Sequence, residues 1–105
     1  MSGISTHVLD TSRGLPASGV AVRLERAEDF RWAPVGRGVT DSDGRVNDLV
    51  IGPPSQGRYR LTFETGGHSS FYPEVEIIFE VAGDQDHYHV PLLLSPFGYS
   101  TYRGS

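Results

Sequence analysis

The sequence predicts an all-β protein, a two-sheet sandwich of seven to eight strands. Three observations carry this. Apolar and polar residues alternate in runs such as Val20-Ala21-Val22-Arg23-Leu24-Glu25-Arg26 and Tyr59-Arg60-Leu61-Thr62-Phe63-Glu64, the pattern of half-buried strands. Such runs recur roughly every ten residues, the spacing of a sandwich. Clusters of Gly, Pro, Asp and Ser separate them at 14–19, 41–44, 52–57 and 82–86.

Taken in order, the first strand (5–9) sets Ile4, Thr6 and Val8 against Ser5, His7 and Leu9, so burial of Ile4 and Val8 turns His7 outward. The turn Gly14-Leu15-Pro16-Ala17-Ser18-Gly19 leads to strands at 20–26 and 32–39. Asp41-Ser42-Asp43-Gly44 turns the chain into a strand at 45–49, and Gly52-Pro53-Pro54-Ser55-Gln56-Gly57 into one at 59–64. Between Gly66 and Phe71 only Gly67-His68-Ser69-Ser70 is available, too short for a stable helix. In the strand at 74–81, Val75, Ile77, Phe79 and Val81 share one face, and Ile78 is the odd apolar residue outside, the mark of an interface. The strand at 88–95 turns Val90, Leu92 and Leu94 inward and His89, Pro91, Leu93 and Ser95 outward. Tyr99-Ser100-Thr101-Tyr102 is rich in strand formers, which argues for an inserted tail strand where most chains fray.

A chain of 105 residues fits a single domain, 1–105, whose stability can lean on oligomerisation. A formal charge of -4 and an isoelectric point near 5.4 argue against a nucleic-acid binder, which needs a basic stripe. Without cysteine there is no disulfide framework and no thiolate metal site. No basic run followed by an apolar stretch opens the chain, and no window is long and apolar enough to span a bilayer. The end, Arg103-Gly104-Ser105, is not a peroxisomal Ser-Lys-Leu address. Together these favour a cytoplasmic protein with no membrane partner.

His7 and His89 therefore point away from the core, each near a leucine, Leu9 or Leu93. A face of histidine and leucine is better explained by burial against another subunit than by solvent. Two histidines in a water-poor cleft suit general acid-base work, because imidazole titrates near neutral pH. A strand histidine taken alone, as His87 and His68 are, reads as packing or surface. Arg45, just past a turn, reads as solvated or paired unless a ligand claims its planar fork of donors. Rival chemistries are weaker. His87 and His89, two apart on a strand, face the same way and both could bind zinc, but spacing dictates no third ligand. There is no Gly-x-Ser-x-Gly elbow for a covalent serine hydrolase and no phosphate-cradling glycine loop.

Four motifs in order resemble the transthyretin-like 5-hydroxyisourate hydrolase family over nearly the whole chain. They are Thr6-His7-Val8-Leu9-Asp10, Gly44-Arg45-Val46 with Phe71-Tyr72-Pro73-Glu74-Val75, His87-Tyr88-His89-Val90-Pro91-Leu92-Leu93-Leu94-Ser95-Pro96, and the closing Tyr102-Arg103-Gly104-Ser105. The resemblance implies a transthyretin-like sandwich assembled as a homotetramer, a dimer of dimers, with sites in a channel between dimers. It implies hydrolytic opening of the six-membered ring of 5-hydroxyisourate to 2-oxo-4-hydroxy-4-carboxy-5-ureidoimidazoline, with no cofactor and no metal. By the same resemblance His7, Arg45, His89 and Ser105 are catalytic, and His7, Arg45 and Tyr102 bind the substrate. One histidine, His7 by preference, deprotonates water. Arg45 polarises the attacked carbonyl, and His89 with the tail orients the substrate or protonates the leaving nitrogen. Ser105 supplies a hydroxyl or the chain's carboxylate. Family members usually carry a short helix after the strand ending near Thr65, which this chain lacks room for. The alternative is a non-catalytic carrier, since transthyretin shares the fold and its channel can hold a hydrophobic ligand. A carrier has no need of His7, Arg45, His89 and the Tyr-Arg-Gly-Ser end together.

Overall fold

A computed structural model of the chain describes residues 3–104. Their strands are β1 (Gly3–Asp10), β2 (Leu15–Pro16), β3 (Ala21–Glu28), β4 (Arg31–Val39), β5 (Arg45–Ile51), β6 (Gly57–Glu64), β7 (Glu74–Val81), β8 (His87–Ser95) and β9 (Gly98–Thr101). All the expected strands form. The additional one is β2, a two-residue edge piece within the first predicted turn, which pairs Pro16 with Leu9 and Leu15 with Asp10. A proline has no N–H for an interior ladder, so it is tolerated at such an edge.

Two sheets face each other. In the five-stranded sheet, β8 runs parallel to β1 along one edge, β9 lies beyond β8, and β5 and β2 share the other edge of β1. The four-stranded sheet is antiparallel in the order β4-β3-β6-β7. Side chains from both inner faces fill the space between: Ile4, Val8 and Leu92 from one sheet, Val22, Leu24, Leu61 and Phe63 from the other, all essentially inaccessible to water. Each such side chain contributes about 1.5–3 kcal/mol of burial. The alternation read from sequence is the alternation observed. On β7, Val75 and Val81 are buried, Ile77 and Phe79 half-buried, and Ile78 is 57% exposed on the outer side.

The connection from β6 to β7 is one hydrogen-bonded turn, with the N–H groups of His68 and Ser69 both donating to the Thr65 carbonyl. Side chains anchor it in place of a helix. Thr65 Oγ1 donates to the Tyr72 carbonyl at 2.6 Å, and Ser69 Oγ donates to that of Pro96 at 2.9 Å. His68 sits with Nδ1 3.6 Å from Asp10 Oδ2 and belongs to this packing.

Candidate active site

The site is organised by β1, which touches both strands that carry the other predicted residues. Registered partners in a sheet share a face. His7 is opposite Arg45 on antiparallel β5, and Ser5 is opposite His89 on parallel β8. Because Ile4, Thr6 and Val8 occupy the inner face, Ser5, His7, Arg45, His87 and His89 assemble on the outer one.

Arg45 is delivered by a tightly specified turn. Asp41 Oδ1 accepts from the backbone N–H groups of Asp43 (2.9 Å) and Arg45 (3.0 Å), and the Gly44 N–H donates to the Asp41 carbonyl. Gly44 has φ +75°, and a Cβ there would collide with the Val8 carbonyl oxygen. The Val8 N–H in turn donates to the Gly44 carbonyl at 2.7 Å. The turn is thus clamped to β1 one residue beyond His7. The Arg45 N–H is the main influence holding the Asp41 carboxyl below its usual range; desolvation opposes it, and the Asp43 N–H and the charges of Arg45 and His7 add to the lowering.

His89 is half-buried and its ring is tied on one side. The Ser5 hydroxyl lies 2.8 Å from His89 Nδ1 and 2.9 Å from His87 Nε2, and the two imidazoles stack at 6.4 Å with planes 16° apart. Burial foremost, then the neighbouring charges of Arg45, His7 and His87, pushes the His89 pKa below its usual 6.5, opposed by a hydrogen bond with the Ser5 backbone, the smallest of these effects. The neutral form of the ring is thereby favoured.

The tail folds back over this strand. Thr101 Oγ1 donates to the Pro91 carbonyl at 2.7 Å, the Gly104 N–H donates to the His89 carbonyl at 2.8 Å, and the Arg103 guanidinium lies 5.1 Å from the centre of the Tyr88 ring. Gly104 packs so closely that a Cβ there would lie 2.7 Å from His89 Cδ2. Tyr102 is 59% exposed and lines, with His89, Ile77, Phe79 and Tyr88, a cleft of about 240 Å³ between β7 and the tail. His7 and Arg45 do not line that cleft. Ser105 lies outside the described residues. Among the described residues no group of three metal-ligating side chains comes together.

Residues 4–104 match the pattern of the HIUase/Transthyretin family. The chain belongs to that family. A 5-hydroxyisourate hydrolase of Caulobacter vibrioides is 46% identical over the full length of both proteins. The solved 5-hydroxyisourate hydrolase of Klebsiella pneumoniae superposes with a TM-score of 0.85 at 40% identity, again covering both chains completely. Transthyretin from Sparus aurata superposes with a TM-score of 0.87 at 30% identity, over 99% of this chain and 97% of the other.

In this member of the HIUase/Transthyretin family, three of the predicted site residues, His7, Arg45 and His89, come together on one face from three strands. Tyr102 shares a cleft with His89 and not with His7 or Arg45. Reading the sequence overlooked Ser5 and took His87, though it faces the same way as His89, as packing or surface. Parity sets His87 beside His89 on one side of the strand and could have added Ser5 beside His7; the pairing of β1 with β8 that joins them is invisible to parity.

Proposed function

We propose that this protein hydrolyses 5-hydroxyisourate to 2-oxo-4-hydroxy-4-carboxy-5-ureidoimidazoline, a step of urate degradation. The observation that carries the reading is the registration of His7 against Arg45, with His89 on the neighbouring strand of the same face. Fold alone does not decide between hydrolase and carrier, because the transthyretin and hydrolase superpositions are equally good. Sequence identity favours the hydrolases, at 40–46% against 30%, and the polar outer face favours them too.

In the reaction, water adds to a ring amide carbonyl and the carbon–nitrogen bond opens. His7 takes the proton from water and returns it to the leaving nitrogen, so atoms and charge balance. Arg45 grips the substrate's oxygens with its planar fork and stabilises the negative charge of the tetrahedral adduct. His89 contributes from the other side, and Tyr102 closes the site from the tail. Ser105 joins the catalytic set in this reading on the strength of its motif.

A homotetramer, a dimer of dimers that forms a channel over this face, belongs to the same reading. Half-buried Leu9 and Leu93 beside the histidines are the apolar surface it would cover, and exposed Ile78 on the four-stranded sheet would belong to a second contact of the tetramer. A cytoplasmic location completes the proposal and suits a chain in which no disulfide is available.

The test is the absorbance decay of 5-hydroxyisourate generated freshly from urate with urate oxidase, with and without the protein. Acceleration over the spontaneous rate that disappears in His7→Asn and Arg45→Ala supports the hydrolase. A folded protein that leaves the decay unchanged would refute it.

A further inference from the structure

We infer that Ser5 and His87 are positioning residues of this site: their side chains fix the proton of His89 on Nε2, so that His89 meets the substrate as a neutral hydrogen-bond donor. The inference rests on the hydrolase reading for its catalytic meaning, though not for its geometry. A serine hydroxyl carries one proton. Ser5 Oγ lies 2.8 Å from His89 Nδ1 and 2.9 Å from His87 Nε2, its two partners among the described residues. Accepting from both would leave its proton without an acceptor, so it donates to one ring and accepts from the other, and the tautomers of the two histidines are thereby coupled.

Two directions are available, and the far nitrogen of His87 chooses between them. His87 Nδ1 is buried and finds no partner among the described residues. If Ser5 donated to His87, that nitrogen would have to carry a buried N–H with no acceptor. If His87 Nε2–H donates to Ser5, it carries only a lone pair, and an orphaned lone pair is the more tolerable of the two. The chain therefore runs from His87 Nε2–H to Ser5 Oγ–H to His89 Nδ1. His89 then bears its proton on Nε2, the nitrogen left for the substrate.

The surroundings keep this ring neutral. Arg45 from β5, His7 from β1 and His87 from β8 all face His89 as actual or potential cations, and the tail covers it at Gly104. A neutral imidazole with its proton on Nε2 can donate to a developing oxyanion, but complete loss of that proton would leave a costly imidazolate. The single proton that must move from water to the leaving nitrogen accordingly passes through His7. Ser5 and His87 touch no substrate; they act through His89.

Nitrogen-15 NMR of the histidine rings in the ligand-free wild type tests the tautomers directly. Both His87 and His89 are expected to show a protonated Nε2 and an unprotonated Nδ1 near neutral pH. A proton on His89 Nδ1 overturns the proposal. In turnover, Ser5→Ala and His87→Phe should each lower kcat about tenfold with KM within about twofold, as expected for a lost orienting hydrogen bond. His87→Gln, whose amide offers an N–H donor near the position of Nε2, should restore most of the rate. Folded Ser5→Ala with wild-type kcat, or His87→Gln as impaired as His87→Phe, would also overturn it. A wild type that folds but lacks turnover sinks the hydrolase reading instead, while the tautomer measurement needs no substrate.

Discussion

The two sheets present outer faces of opposite character. On the four-stranded sheet, two arginines are neutralised in place. Arg60 Nη2 lies 2.7 Å from Glu25 and its Nη1 4.0 Å from Glu76, its guanidinium stacks 4.6 Å from the centre of the Trp32 ring, and Arg58 pairs with Glu80 at 2.9 Å. On the five-stranded sheet, Arg45 and three histidines share a face, and Arg45 has no ion-pair partner among the described residues. The neighbouring carboxylate, Asp41, accepts from backbone N–H groups through Oδ1. The first face holds two of its arginines in ion pairs, while Arg23 and Arg37 stand opposite each other on neighbouring strands and Ile78 is exposed there. The second leaves hydrogen-bond donors available, which is what an electron-rich, oxygen-bearing substrate requires.

An arginine exchange breaks this contrast most sharply. Arg45→Lys keeps the charge but loses the planar fork, so turnover of 5-hydroxyisourate should fall about 100-fold or more. Arg60→Lys makes the same chemical change on the other sheet, away from His7, Arg45 and His89, and should leave turnover within about twofold whatever it costs in stability. Steady-state rates of the two folded variants decide it. Equal rates would mean that the faces do not differ in function.

A smaller effect is expected where the tail meets His89. The Cβ introduced by Gly104→Ala must displace either the His89 ring or the backbone bridge to the His89 carbonyl. Turnover should fall about tenfold, the scale of one misplaced contact. The melting temperature should stay within about 2 °C, because no core side chain is involved. Alanine at 104 with full turnover would show that the tail does not set the ring's position.

Much of this architecture was legible in the sequence, because a period of two needs no tertiary knowledge. Parity placed Ile4, Val8, Leu92 and Leu94 inside and turned His7 and His89 outward, and the structure agrees at each. What parity cannot supply is strand pairing. That β8 runs parallel beside β1, far away in sequence, and brings Ser5 against His89 depends on contacts between distant segments. The two-residue β2 was hidden for another reason, since Leu15 and Pro16 lie inside a turn signal too short to show alternation. Tyr102 was assigned by its motif, and it lines a cleft with His89 that neither His7 nor Arg45 lines.

The finest distinction between the faces is electrostatic and can be read from one proton. Burial is the main cause of the lowered His89 pKa and Arg45 the next. An NMR titration of the His89 ring should therefore give a midpoint below 6.5 in the wild type. In Arg45→Gln the midpoint should rise, because a nearby cation no longer opposes protonation, yet stay below 6.5, because burial remains. Glu25→Gln, across the sandwich, should not move it. Linkage gives the matching sign for stability. With the folded pKa depressed, the unfolded chain binds more protons as pH falls below 6.5, so the stability contributed by His89 is present above 6.5 and is lost on acidification through the folded midpoint. Urea unfolding over that interval should show a shallower pH slope in Arg45→Gln than in the wild type, and a wild-type midpoint at or above 6.5 would remove the asymmetry between the two faces.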